Sequence, residues 1–278
     1  MLRLSKELPV LATRLPLASF IVGRTAKKID ALYSVHHPKR EAMAAKKTSL
    51  IAFFTDTSPL RSAELIKAVK ATPALAAEVD AKTGNTPLHF SCCNGAPLAV
   101  VKALLAANSE SAKVTDADGN LAIVGAVANG CGADVVKLLL DSHSESIRVR
   151  QGKHTLLHSA VSNGQTVEVV QLLLKAWPGA ASERDEEGNA PLHFACGCQA
   201  SPAVVKALLV ACPEAAQWRG QMQRYPLSLC LLCESPAESV RAVRDAYPDA
   251  QRATEIVADY QNHGLGLGFK SQSGAPPY

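Results

Sequence analysis

Three histidines, His89, His158 and His193, are the residues of this chain whose type is best suited to catalysis or metal binding. An imidazole can move protons near neutral pH or ligate a metal. Each closes a similar tetrapeptide: TPLH at Thr86–His89, TLLH at Thr155–His158 and APLH at Ala190–His193. A residue that recurs at one position of a repeated unit is explained by what the unit needs, so all three are read as structural. The eight cysteines divide similarly. Cys92 and Cys196 share a slot held by Val127 and Val161 in other copies, and Cys230 sits one position earlier, where Ala126, Ala160 and Ala195 stand. Cysteine in such a slot behaves as a small hydrophobe.

The remaining metal signal is His193, Cys196, Cys198, Cys230 and Cys233, which contains one CxxC. It keeps a Cys-rich metal-binding protein as an alternative. Cys198 and Cys233 fall on adjacent helices, which pack about 8–10 Å apart. Zinc holds its thiolates about 2.3 Å from a common centre. The expectation is therefore no metal and no cofactor. GLGLG at Gly264–Gly268 follows no strand and opens no helix, so it is not a phosphate loop. With no nucleophile motif and no paired carboxylates on a recognisable scaffold, the sequence reads as a non-enzyme without a small-molecule substrate.

The elements that position these residues follow from a repeat. GNTPLHFSCCNG begins at Gly84, GNLAIVGAVANG at Gly119, HTLLHSAVSNG at His154, GNAPLHFACGC at Gly188 and RYPLSLCLLC at Arg224. The matching positions Thr86, Leu121, Thr155, Ala190 and Tyr225 lie 35, 34, 35 and 35 residues apart. A second block starts at Val100, Val135, Val169, Val204 and Ser239 and keeps the same period. Each copy reads as two short antiparallel helices. Pro87, Pro191 and Pro226 sit at a first helical position, where a missing N–H costs nothing. Thr86 and Thr155 can cap the first helix, and Asn94–Gly95, Asn129–Gly130 and Asn163–Gly164 end it. The second helix carries apolar residues at i, i+1, i+4 and i+5, one face of a 3.6-residue period. Neither helix can bury that face alone, so the copies must stack.

With its TPLH-type turns and VVKALL-type second helices, the chain resembles the ankyrin-repeat family. The resemblance implies an all-α solenoid of about six stacked helix-turn-helix units over residues 49–260, with the histidine bonding locally and to the neighbouring repeat. Asn108, His143, Trp177, Cys212 and Tyr247 stand where the family places a glycine after the second helix, so the connecting loops are expected to depart from the family pattern.

Residues 1–48 form a basic N-terminal arm, with ten Lys/Arg against Glu7, Asp30 and Glu41, a net charge of +7. Being basic, acid-poor and leucine-bearing, the arm resembles a mitochondrial targeting segment. A docking arm on RNA or an anionic membrane surface, or a plain solvated tail, are the other readings. Localisation is thus expected to be mitochondrial, with cytoplasmic as the alternative. Residues 261–278, rich in Gly, Ser and Pro, read as a flexible C-terminal tail.

The function expected is a non-catalytic protein-protein interaction module, a structural or scaffold subunit binding protein partners in a larger assembly. An adaptor regulating a catalytic partner is the alternative. In the family resembled, the hairpin tips and the exposed side of the first helices bind. Here the tips alternate in charge: Asp116 and Asp118; then Arg148, Arg150 and Lys153; then Glu183, Asp185, Glu186 and Glu187; then Trp218, Arg219 and Arg224. Phe90 and Phe194 supply either an apolar centre for the partner or packing between helices. The bland reading of the tips is that they are polar because they face water.

Overall fold

The computed structural model describes residues 49–55, 62–247 and 249. The basic arm, residues 1–48, and the tail, residues 261–278, lie outside the described residues. The described chain forms six helix pairs: α1 (Ala52–Thr55) with α2 (Ser62–Ala71), α3 (Pro87–Cys93) with α4 (Leu98–Ala107), and α5 (Ala122–Ala128) with α6 (Ala133–Ser142). They continue as α7 (Leu156–Ser162) with α8 (Val167–Ala176), α9 (Pro191–Gly197) with α10 (Pro202–Ala211), and α11 (Pro226–Leu232) with α12 (Ala237–Asp245). Each first helix packs on the next first helix and each second helix on the next second helix, giving two continuous layers.

The stop and start signals act locally as their chemistry requires. Pro87, Pro191 and Pro226 are the first residues of α3, α9 and α11. Thr86 and Thr155 accept from the His89 and His158 backbone N–H and cap α3 and α7. Gly95, Gly130 and Gly164 end first helices with positive φ. In the last two copies the same place is taken by Gln199 and Glu234, at φ 55° and 54°, a conformation that costs a side-chain-bearing residue about 1–2 kcal/mol.

The second-helix stripe is the core. Val100, Val101, Leu104 and Leu105 are buried, as are Val135, Val136, Leu139 and Leu140, and Val204, Val205, Leu208 and Leu209. Each such side chain contributes about 1.5–3 kcal/mol by leaving water. After the stripe, Asn108, His143, Trp177 and Cys212 take extended φ near −150°, so no left-handed glycine is needed. A five-residue 3-10 helix follows each: Ser109–Lys113, Ser144–Arg148, Pro178–Ser182 and Pro213–Gln217. These turns bury Ala112, Ile147, Ala180 with Ala181, and Ala215 with Ala216. The departure from the family's loop therefore adds a small third apolar layer. Among the described residues no helix is long and apolar enough to cross a membrane.

Candidate functional site

Two sets of hydrogen bonds lock successive copies together and hold the hairpin tips in line. The first uses the histidines. The Thr86 backbone N–H points at His89 Nδ1 from 3.2 Å, so that nitrogen accepts, and Nε2–H donates to the Asn120 carbonyl at 3.1 Å. His158 repeats this with Thr155 and the Asn189 carbonyl, and His193 with the Ala190 N–H and the Trp218 carbonyl. Burial pushes the imidazoles down, His158 and His193 to about 4 each, so they stay neutral. A neutral imidazole enclosed in this way is a tie between repeats.

The second set was not legible in the sequence. In three copies the residue after the cap donates back to a carbonyl of the preceding first helix: Cys131 Sγ to Cys92, Gln165 Nε2 to Val127 and Ser235 Oγ to Cys196. The receiving carbonyls occupy one repeat position, and the donors are a thiol, an amide and a hydroxyl. The cysteines otherwise pack. Cys92, Cys196 and Cys230 are fully buried, and burial holds the Cys92 and Cys196 thiols well above the usual range and that of Cys131 at about 11. Protonated thiols of this kind are poor nucleophiles and poor ligands.

The tips form a ladder of their own. In the Asp116–Asn120 and Asp185–Asn189 tips the aspartate carboxylate accepts from two backbone N–H groups and from the asparagine side chain. The tip between them is one residue shorter. It is a hairpin of β1 (Arg150–Gln151) and β2 (His154–Thr155), with Gly152 at φ 62° opening the turn. Neighbouring tips are stitched: Gln151 Nε2 to Asn120 Oδ1, Arg150 to Glu183 at 2.8 Å, Arg184 to the Arg219 carbonyl, and the Gln221 N–H to Asn189 Oδ1. Gly220 makes the last approach possible, since a Cβ there would stand 2.2 Å from Asn189 Oδ1.

Against this frame some expected contact residues change role. Asp185 is not a free surface charge; it is buried, its Oδ1 taken by two N–H groups of its own turn and its Oδ2 held by Asn189 Nδ2 and faced by His154 at 3.4 Å. Phe90 and Phe194 are buried packing residues. Phe90 stacks on Phe54 at 5.9 Å, and Phe194 sets its edge against His154 and His158. Arg150 is spent on Glu183, and Arg148 lies 4.6 Å over the Trp177 ring. Charge alternation is therefore used partly inside the array, because opposite charges on consecutive tips are neighbours. Asp116 is half-buried in its turn, while Asp118, Lys153, Glu186 and Glu187 are exposed.

The tip from Trp218 to Tyr225 differs from the rest. The Asp–Gly–Asn pattern is replaced by Gly220, Gln223 and Arg224, and Met222 and Gln223 both adopt positive φ. Met222 is 61% exposed at its apex. The same tip carries half-buried Trp218 under the Arg184 guanidinium at 5.3 Å, and half-buried Tyr225 under Arg219 at 5.0 Å. Arg184, Arg219 and Arg224 pair with no carboxylate among the described residues. The sequence reading missed Met222 and Arg184; the signal was the lost Asp–Gly–Asn pattern, which leaves this tip its backbone bonds but removes the aspartate side-chain bonds that hold the others.

A family model of ankyrin repeats in three copies matches residues 61–151 and 124–218, together more than half of the chain. No curated protein sequence matches it. Among solved structures, the human ASB11 ankyrin repeat domain is similar with a TM-score of 0.52 and 22% identity, covering 68% of this chain and 81% of that one. A chain from the Bdellovibrio bacteriovorus predatory endopeptidase Bd0816 in complex with immunity protein Bd3460 is similar with a TM-score of 0.55 and 19% identity, covering 72% and 98%. At these identities the two structures speak to the fold, and it is the one that the repeats, their caps and their histidine ties build: this chain belongs to the ankyrin-repeat family.

Proposed function

We propose that this chain is a non-catalytic scaffold subunit that holds a protein partner within a larger assembly, with the Trp218–Tyr225 tip as a principal contact. The coarser statement, an interaction module that binds proteins, rests on the family. One observation carries the finer one. Where other tips spend an aspartate on their own turn, this one presents an exposed Met222, a half-buried Trp218 and the guanidiniums of Arg219 and Arg224, which pair with no carboxylate among the described residues, with Arg184 of the preceding tip over Trp218. Aromatic and arginine side chains of this kind dominate interface energies, and Met222 and Gln223, both exposed and neither a glycine, hold positive φ, a backbone strain of the kind found at binding sites. The basic arm supports the further proposal of a mitochondrial address.

The test is purification of the full chain with whatever partner accompanies it, compared with Trp218→Ala combined with Arg219→Ala. A scaffold subunit keeps its partner at fixed stoichiometry, and the double variant loses at least about 2 kcal/mol of affinity with an unchanged helical spectrum. Association that comes and goes with a partner's catalytic activity would favour the adaptor reading instead. Equal binding by parent and variant removes this tip from the interface.

A further inference from the structure

We propose that His154, Asp185 and Glu187 form a site for a borderline divalent cation of the zinc type, bridging two consecutive tips. The site arises from a break in the repeat. In the Asp116 and Asp185 tips the asparagine turns inward onto the aspartate of its own turn. In the shorter tip between them Gln151 stands in place of that aspartate and His154 in place of the asparagine. The imidazole has no carboxylate in its own tip, and it faces the aspartate of the next.

The arrangement fits a metal better than an ion pair. His154 Nε2 lies 3.4 Å from Asp185 Oδ2. A charge-assisted hydrogen bond closes to about 2.7–2.9 Å. Two donors on a tetrahedral ion at about 2.0–2.1 Å stand about 3.4 Å apart, which is the spacing found. Donor atoms of all three side chains lie within 4.8 Å of one another, and Glu187 is exposed and free to swing in. One imidazole and two carboxylates leave a fourth position for water and favour zinc over the all-oxygen shell that calcium or magnesium takes.

The ligands are also held in place. Asp185 Oδ1 accepts from the Glu187 and Asn189 N–H groups at 3.0 and 2.7 Å, and Asn189 Nδ2 supports Oδ2 at 3.0 Å. The His154 ring is stacked on His158 at 5.7 Å and packed against the Phe194 ring at 5.3 Å. The Asp185 side chain is 1% exposed, and among the described residues no lysine or arginine pairs with it, since Arg150 is committed to Glu183 and Arg184 to backbone carbonyls. A buried carboxylate ordinarily finds a cation; here the cation is the metal that His154 and Glu187 help to bind.

Zinc is titrated calorimetrically into chelator-treated full chain, and cobalt(II) binding is followed by its visible absorption. The parent binds one ion per chain and gains thermal stability with added zinc by mass action. His154→Ala weakens binding by at least about tenfold, Glu187→Gln by less, and Cys198→Ser leaves it unchanged. Both principal variants alter partly or fully exposed side chains, and an unchanged helical spectrum in the absence of metal confirms that they fold. Absence of saturable zinc binding in the parent, parent affinity in His154→Ala, or loss on Cys198→Ser overturns the proposal.

Discussion

Lowering the pH through the range in which histidine titrates should unfasten the array. His158 and His193 ordinarily titrate near 6.5, and burial pushes each to about 4 in the folded chain, outweighing the carbonyls that favour the charged form. Their Nδ1 atoms already accept a backbone N–H, so a second proton has no acceptor to meet and leaves two donors opposed. The unfolded chain therefore binds more protons than the folded one between these two values. Stability is fully present above the unfolded value and falls as pH drops towards about 4. With about 1.36 kcal/mol per unit, each histidine removes about 2 kcal/mol between about pH 7.5 and pH 5, so the pair removes about 4. That is a large part of an ordinary domain stability of about 5–15 kcal/mol. Most carboxylates titrate below this window, so they do not imitate the effect. Urea unfolding followed by circular dichroism at steps across this range measures the slope. His158→Gln should remove about 2 kcal/mol of the loss even though it also lowers stability at neutral pH. A pH-independent midpoint across the window, or an unchanged slope in the variant, would refute the neutral-tie account.

Three further outcomes follow from particular residues. Glu234→Gly should raise the unfolding midpoint, because glycine relieves the positive φ at an exposed cap; after the unfolded-state entropy is subtracted the net gain is a few tenths to about 1 kcal/mol, and a loss would contradict the cap reading. Gly220→Ala should cost about 1–3 kcal/mol, since its methyl meets Asn189 Oδ1 and His193 at once, and a neutral melt would show that the tips are not stitched there. A reporter fused behind residues 1–48 should accumulate in mitochondria, whereas a diffuse reporter would end the targeting proposal and leave docking on RNA or an anionic membrane as the arm's better reading.

What the sequence disclosed was whatever depends on nearest neighbours along the chain. Pro87, Thr86 and Gly95 mark the start, cap and end of one helix through local backbone chemistry, and the valine–leucine stripe repeats visibly. The 3-10 turns after the second helices were hidden, because Ser109, Ser144 and Pro178 signal only that an α-helix stops. What continues the turn is the burial of Ala112, Ile147 and Ala180 beneath the adjoining repeat. Asp185 looked like a surface acid because a run of three acids usually is one. Its burial comes from its own turn and from His154 lying over it from the tip before. Phe194 and the Arg150–Glu183 pair teach the same lesson: contacts between copies are set by stacking, which a single copy's residues do not display.

Amide hydrogen exchange of the chain with and without its co-purified partner decides whether the Trp218–Tyr225 tip is the contact. Binding should slow exchange in the peptide spanning Trp218 to Tyr225, which carries Met222, Arg219 and Arg224, while α10 around the outward-facing Val210 exchanges as in the free chain. Protection confined to the second-helix face around Val210, with the Trp218–Tyr225 peptide unaltered, would contradict it.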